Sequence, residues 1–287
     1  MKTAYIKYLL ALLLFGSNGI VASQILLNSY EIVFLRTLIG SILLIILFKL
    51  SGGKFTFPKY RKDLLFIMLS GIAMGTSWMF LYEAYQQIGV GISSLIYYCG
   101  PVIVMILSPM IFKERLTYPK IIGFLIVVVG LLLVNGNVSG ENTNIWGITC
   151  GGMSALMYFF MVTLNKKTRQ ITGMENSTIQ LTVSFLTVAV FVLFKQGLMI
   201  DLSGVNWFAV IFLGVVNTGI GCFLYFSPLS KLPVQSVAVL GYLEPLSAVV
   251  FSAVLLSETM SIIQIVGATL IIGGAMFGEL VKPKLKN

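Results

Sequence analysis

The amino-acid sequence predicts an all-α membrane protein of about ten transmembrane helices, built as two five-helix repeats of inverted topology. Three observations predict this fold class. Of 287 residues, 57% are hydrophobic and only 10% are charged, whereas about 25% of a soluble domain is charged. Apolar runs of about 20 residues, the length that crosses the hydrocarbon core, recur from end to end. Polar, glycine and proline positions also repeat at one fixed offset.

The apolar runs are continuous and are separated by short connections. Strands of a membrane barrel would instead alternate in hydrophobicity over roughly ten residues, so each run is predicted to be a helix. Short connections are typical of antiparallel neighbours. In chain order, the predicted spans are Ala4–Ala22, Tyr30–Phe48, Leu64–Ala84, Gly91–Phe112, Pro119–Val134, Ile145–Leu164, Asn176–Phe194, Val205–Phe226, Gln235–Leu256 and Ile262–Leu280.

The distribution of basic residues predicts the orientation of these spans. The net charge is +9, and the basic residues lie in alternate short connections and at both termini. They form no continuous basic face, so a nucleic-acid partner is not expected. The basic connections are residues 49–62, 113–120 and 166–169, together with Lys231. The positive-inside rule therefore predicts a multi-pass protein of the cell membrane with both termini, including the tail 282–287, in the cytoplasm.

The sequence does not favour an enzyme. It contains no histidine, and no G-x-x-x-x-G-K-[ST] motif for ATP hydrolysis is present. Cys99, Cys150 and Cys222 lie in apolar stretches without C-x-x-C spacing, which is typical of packing residues. Because clustered carboxylates are also missing, we expect no catalytic residue, no metal and no cofactor.

The repeat has an offset of 144 residues, which aligns Tyr98-Cys99-Gly100-Pro101 with Tyr242-Leu243-Glu244-Pro245. The same offset pairs Glu31 with Glu175, Glu114 with Glu258, Thr117 with Ser261, Gly123 with Gly267, and Gly130 with Gly274. Each copy contains an odd number of helices, so the second copy enters the membrane from the opposite side. We predict a first repeat at 1–137, a second at 144–281 and a basic tail at 282–287.

Several motifs resemble the EamA domain of the drug/metabolite transporter superfamily, in two copies that cover nearly the whole chain. They are Phe15-Gly16-Ser17-Asn18, Arg36, Phe112-Lys113-Glu114-Arg115-Leu116-Thr117 with Ile122-Gly123, Leu243-Glu244-Pro245, Ser257-Glu258-Thr259 and Val266-Gly267-Ala268. The resemblance implies ten helices, an inverted repeat, a central cavity and alternating access. It implies no particular substrate, because members of the superfamily move amino acids, nucleotide precursors, amines, vitamins and drugs.

The third predicted helix contains an aromatic stripe and one carboxylate. Trp78, Tyr82 and Tyr85 share a helical face, and Glu83 lies about 100° away from it. We expect Trp78 and Tyr82 to line a cavity, whereas Tyr85, nearest the loop, is expected in the interfacial aromatic belt. Glu83 is a candidate for binding a cationic substrate or a coupling proton, and its alternative is an idle, hydrated position at the membrane surface.

Two further charges lie within predicted spans. Glu244 precedes Pro245 and is a candidate for either a structural hydrogen bond or a substrate contact. Tyr242 and Glu244 point about 200° apart, so both cannot face one cavity. Arg36 could hold a substrate carboxylate, but snorkelling to the outer interface is favoured. A pair between Arg36 and Glu31 is weak, because five residues do not place them on one helical face.

The predicted substrate-binding set adds an amide and hydroxyl groups from other helices, since a selective pocket needs a few convergent polar groups. Tyr98 belongs to a polar, aromatic patch on the fourth predicted helix together with Ser94, Tyr97 and Pro101. The set is Asn18, Arg36, Trp78, Tyr82, Glu83, Tyr98, Tyr158, Tyr225, Tyr242 and Glu244. Glu114 and Glu258 are predicted to cap the fifth and tenth helices.

The leading functional hypothesis is a secondary transporter for a small polar or amphipathic metabolite, with amino acids or related compounds favoured. A transporter of quaternary amines or other organic cations is an alternative, because an aromatic cage with a carboxylate suits a cation. A non-transporting structural or sensory membrane protein is the alternative from another class. The expected partners are a small-molecule substrate and the lipid bilayer; a coupling proton, a homodimer and the direction of transport stay open.

Overall fold

A computed structural model of the chain describes residues 1–114, 116–135, 144–197, 202–255 and 261–281. These residues are almost entirely helical and include no strand, which confirms the all-α prediction. The helices are α1 (Lys2–Ala22), α2 (Ser29–Leu50), α3 (Arg61–Gly89), α4 (Ile92–Phe112), α5 (Tyr118–Asn135), α6 (Ile145–Lys166), α7 (Gly173–Lys195), α8 (Trp207–Leu229), α9 (Val234–Leu255) and α10 (Ile262–Leu280).

Eight of these helices, all except α5 and α10, are long and apolar enough to cross a membrane. α5 and α10 are apolar but shorter. Large apolar side chains such as Leu125, Phe194 and Ile265 are exposed on the outside of the bundle. A bilayer would cover these side chains, so the chain is a multi-pass membrane protein.

Within the described residues, three helices are interrupted along their length. α1 breaks at Ser17, between the segments Lys2–Gly16 and Asn18–Ala22. α4 and α9 break at Tyr98 and Tyr242, which are counterparts at the 144-residue offset. Pro101 and Pro245 each follow the break by three residues, and proline is tolerated in the first turn of a helix because that turn needs no intrahelical N–H bond.

The packing of the helices is symmetric under exchange of the two halves of the chain. α3 packs along α6 as α8 packs along α1, and α3 packs against α7 as α8 packs against α2. The contact of α4 with α6 is likewise repeated by that of α9 with α1. α2, α4 and α5 contact their own counterparts α7, α9 and α10. An approximate twofold axis therefore relates the halves.

Counterpart helices run in opposite directions. On α5 and α10, a Cβ atom added to Gly123 would lie 2.5 Å from the carbonyl oxygen of Gly274, and one on Gly130 would lie 2.6 Å from that of Gly267. Higher residue numbers on α5 thus meet lower ones on α10, and the crossing is antiparallel. It is also close enough that only glycine fits, which is how small residues let membrane helices approach.

The ends of the helices that carry the basic connections form one side of the bundle, here named the basic side. There the Glu114 carboxylate accepts hydrogen bonds from the backbone N–H groups of Val234 (3.1 Å) and Gln235 (3.4 Å). Glu114 is therefore a helix cap, but of α9 rather than of α5 as the sequence predicted, since the loop folds back onto the other repeat. Its counterpart Glu258 lies outside the described residues.

Candidate functional site

A cavity of about 590 Å³ lies between the two halves. Seven helices line it, namely α1 to α4, α6, α8 and α9. It reaches the surface at the end of α1, where Ser23 is exposed, and extends inward to Met161 and Phe226. Its volume lies within the range of about 300–1,000 Å³ that is typical of small-molecule sites.

Most of the predicted binding residues converge on this cavity. Asn18, Arg36, Trp78, Tyr82, Tyr98, Tyr158, Tyr225 and Glu244 all line it. Glu83 and Tyr242 do not. The cavity also includes Tyr85, which the sequence placed in the interfacial belt. A helical wheel puts Tyr85 on the stripe of Trp78 and Tyr82, so the stripe was the better guide to its position than its distance from the loop.

Arg36 is buried in the cavity wall rather than snorkelling, with 4% of its surface exposed. Its Nε donates a 2.9 Å hydrogen bond to Thr218 Oγ1 on α8. The Thr218 hydroxyl donates in turn to the carbonyl of Leu213 (2.8 Å), inside the π-helical segment Leu213–Ile220. The guanidinium carbon lies 4.9 Å from the centre of the Trp78 ring, a cation–π contact. These contacts fix the side chain and leave its terminal nitrogens without an acceptor among the described residues.

Glu244 places a carboxyl group in the same cavity. It lies in the first turn of the second segment of α9, where the helix dipole favours a carboxylate. The break at Tyr242 separates this turn from the segment Val234–Gly241. Among the described residues neither Glu244 nor Arg36 forms an ion pair, so the carboxyl group and the guanidinium line one cavity without pairing directly.

Tyrosines form the wall around these charges. The hydroxyls of Tyr158 and Tyr225 lie 3.4 Å apart, and the ring of Tyr97 meets that of Tyr158 edge-on with 5.5 Å between centroids. Tyr82 and Tyr85 pack together at 5.1 Å. Tyrosine gives both a π face and a hydroxyl, so the wall can contact a cation and donate hydrogen bonds.

Glu83 has a structural environment instead. It accepts hydrogen bonds from the Tyr30 hydroxyl, Trp146 Nε1 (3.3 Å) and Gln87 Nε2 (3.3 Å). It also forms an ion pair with Lys195 at 3.4 Å. These partners belong to α2, α6, α3 and α7, so Glu83 ties four helices together away from the cavity. Glu83 therefore lies outside the cavity with its carboxylate surrounded by donors, which is neither the substrate contact nor the hydrated surface position that the sequence offered as alternatives.

Tyr242 is likewise removed from the cavity. It is fully buried, and its hydroxyl donates to the carbonyl of Tyr98, its own counterpart, at 2.9 Å. The expectation that Tyr242 and Glu244 cannot share one cavity is correct, since Tyr242 points into the core while Glu244 lines the cavity. Tyr242 is thus a predicted binding residue that the structure does not bring to the cavity.

The basic side of the cavity is closed. The Tyr8 hydroxyl donates to the carbonyl of Val237 (3.0 Å), which joins α1 to α9, and its ring packs on Tyr225 at 5.1 Å. Lys166 at the end of α6 donates to the carbonyls of Leu229 (3.1 Å), Ser230 and Leu232. Together with the Glu114 cap on α9, these contacts seal one end of the cavity while the other reaches the surface.

A cavity between two antiparallel halves of a multi-helix membrane protein is the place where transporters with inverted repeats typically bind their substrates. The profile of the EamA-like transporter family matches residues 2–136 and 144–278. The chain belongs to that family, whose members are transporters and not enzymes.

Similar proteins bear the same description. The chain is 28% identical to the uncharacterized transporter YxxF of Bacillus subtilis, over 95% of this chain and 88% of that protein. It is 25% identical to an uncharacterized transporter of Archaeoglobus fulgidus, over 91% of this chain and 95% of that protein. A solved crystal structure with 18% identity superposes with a TM-score of 0.83 and covers 97% of this chain, which shows the shared fold.

Proposed function

We propose that the chain is a secondary transporter of ten membrane-spanning helices that moves a zwitterionic metabolite of the amino-acid type across the cell membrane by alternating access. Both termini are cytoplasmic in this proposal, and the cavity faces outward because it opens away from the basic side. The main support for this substrate class is that Arg36 and Glu244 line one cavity and form no ion pair with each other.

The energetics of burial support a substrate with two opposite charges. A charged side chain within a membrane span costs at least about 2.5 kcal/mol on insertion scales unless it is compensated. A substrate carboxylate would accept paired hydrogen bonds from the free terminal nitrogens of Arg36. A substrate ammonium would meet Glu244 and the tyrosine faces. One zwitterion thus compensates both charges, whereas a singly charged compound leaves one without a partner.

The arrangement of Arg36 favours recognition over simple charge balance. Its Nε is occupied by Thr218 and its plane lies over Trp78, so the two terminal nitrogens are held in a fixed direction. A fixed guanidinium matches the planar geometry of a carboxylate and loses little entropy on binding. Glu244 is the carboxylate within the cavity and is therefore our candidate for a coupling proton, in place of Glu83.

An organic cation is the second candidate substrate, because several tyrosines surround the cavity that holds Glu244. Arg36 in the same cavity opposes a substrate that carries only positive charge. The two candidates differ in one chemical group, the carboxylate, and a ligand series can separate them.

The test is a thermal-shift screen on purified protein with matched ligands: amino acids, the corresponding amino alcohols that lack the carboxylate, and carboxylic acids that lack the amine. We expect only the zwitterions to raise the melting temperature of the wild type. Arg36→Gln and Glu244→Gln should lose the shift, whereas Glu83→Gln should keep it. If amino alcohols raise the melting temperature and still do so in Arg36→Gln, the substrate is an organic cation. If the ligand-induced rise is lost only in Glu83→Gln, the proposed site is wrong.

A further inference from the structure

Three amide side chains form a fully buried cluster between α6 and α7. Asn165 Nδ2 donates to Asn176 Oδ1 (2.9 Å) and to Gln180 Oε1 (3.1 Å), and Asn176 Nδ2 donates back to Asn165 Oδ1 (3.0 Å). All three residues have 0% of their surface exposed. None of them lines the cavity. The proposed function gives this cluster no role.

The cluster lies between the floor of the cavity and the basic side. Gln180 Nε2 lies 3.9 Å from the sulfur of Met74, and Met74 lines the cavity. On the other side, Asn165 adjoins Lys166, whose ammonium binds the end of α8 on the basic side. Met74, whose side chain is flexible and adapts readily, therefore contacts the amide cluster and also borders the cavity.

The repeat relates this cluster to Arg36. At the 144-residue offset, Gln180 is the counterpart of Arg36 and Met74 is the counterpart of Thr218. The contact of Gln180 with Met74 is thus the symmetry mate of the hydrogen bond from Arg36 to Thr218. Exchanging the two halves carries the open side of the bundle onto the basic side. In the exchanged arrangement, Gln180 occupies the position that Arg36 has in this structure, in the wall of an open cavity.

Two buried polar atoms also lie at helix ends of the basic side. Ser227 Oγ near the end of α8 and Gln235 Nε2 near the start of α9 have no hydrogen-bond partner among the described residues. Buried polar groups normally have partners, and water that entered from the basic side would supply partners to these two atoms. Both atoms belong to the helix ends that Glu114 and Lys166 seal on the basic side.

Building on the proposed transport function, we infer that Asn165, Asn176 and Gln180 line the inward-facing half of the substrate path. When the basic side opens, the Gln180 amide takes the place of Arg36 as a donor to the substrate carboxylate. A neutral amide forms a weaker bond to a carboxylate than a guanidinium does, which allows the substrate to leave on that side.

Cysteine accessibility tests this inference without knowledge of the substrate. In a background with Cys99, Cys150 and Cys222 replaced by alanine, the reporters are Gln180→Cys and Asn165→Cys. Thr178→Cys is the matched control: Thr178 is two residues from Gln180 on α7 and equally buried, but its hydroxyl faces α2 through Leu44. A membrane-impermeant cationic methanethiosulfonate is applied to inverted membrane vesicles and to intact spheroplasts.

We expect both reporters to react in inverted vesicles at least about tenfold faster than the control, since even a minor inward-facing population exposes them. In spheroplasts the reporters should react as slowly as the control. Equal, slow reaction of reporters and control in inverted vesicles would overturn the inference. If Gln180→Cys does not fold, Asn165→Cys on the other helix decides the outcome.

A second pair of variants tests the role of Gln180 in transport. Gln180→Leu should lower substrate exchange in proteoliposomes at least about tenfold, while the ligand-induced rise in melting temperature, which reports the outer cavity, is retained. Thr178→Val should leave both unchanged. Exchange by Gln180→Leu at the rate of Thr178→Val would overturn the role of Gln180. A wild type that binds and exchanges no zwitterion would instead contradict the proposed function, whatever the cysteine labelling shows.

Discussion

Substitution of Arg36 tests whether a fixed guanidinium, rather than positive charge alone, recognises the substrate. Arg36→Gln removes two hydrogen bonds to a charged acceptor, each worth about 1.5–3 kcal/mol. The loss of about 3 kcal/mol or more weakens binding at least about 100-fold, at 1.4 kcal/mol for each factor of ten. Arg36→Lys keeps the charge but loses the Thr218 bond and the planar fork. We expect this variant to bind about 5- to 30-fold more weakly, for a cost of about 1–2 kcal/mol.

The assay is titration calorimetry with the best zwitterion from the ligand screen. Trp78→Leu is a companion variant, because it removes the ring over the guanidinium and leaves Arg36 and its Thr218 bond in place. We expect Trp78→Leu to weaken substrate binding, but by less than Arg36→Lys does. Equal affinities for wild type, Arg36→Lys and Arg36→Gln would show that the guanidinium does not recognise the substrate. Equal losses in Arg36→Lys and Trp78→Leu without any loss in Arg36→Gln would show the same.

Three further predictions follow from the packing. Gly123→Ala places a methyl group 2.5 Å from the carbonyl oxygen of Gly274. We expect it to destabilise the fold by about 1–3 kcal/mol and so to lower the melting temperature. Gly273→Ala is the control, because no atom lies within 4 Å of the added methyl group and the melting temperature should not change. Equal melting temperatures would contradict the antiparallel glycine crossing. Glu114→Gln weakens the cap on α9 by about 1 kcal/mol, so cysteine labelling from the basic side should rise about fivefold; an unchanged rate would remove Glu114 from the seal. Glu83→Gln should lower the melting temperature while substrate affinity stays the same, and a selective loss of affinity would contradict its structural role.

The positions of the helices and the inverted repeat could be predicted from the sequence. Apolar length and the placement of lysine and arginine depend on the bilayer, which acts on each segment separately. The offset between Tyr98 and Tyr242 predicts their symmetric relation, and the structure joins them by a hydrogen bond. The offset is taken from the sequence alone, so it predicts this symmetric relation without any information on how the helices pack.

The partners of the charged side chains could not be predicted in the same way. Arg36 was expected to snorkel because it lies close to the end of its helix. Its side chain is instead held inside the bundle by a hydrogen bond to Thr218, which is 182 residues away. Glu83 has partners on other helices, namely Tyr30, Trp146 and Lys195. A helical wheel describes one helix and cannot predict such contacts. In each case, the deciding contact is made between helices that are far apart in the sequence.

In the proposed function, one zwitterion binds between Arg36 and Glu244 and is carried through the protein. Exchange of a radiolabelled amino acid into proteoliposomes loaded with the same unlabelled amino acid measures both steps together. We expect saturable exchange by the wild type and Glu83→Gln, and loss of exchange in both Arg36→Gln and Glu244→Gln. Exchange that persists in both cavity variants, or that is abolished only by Glu83→Gln, would contradict the proposed function.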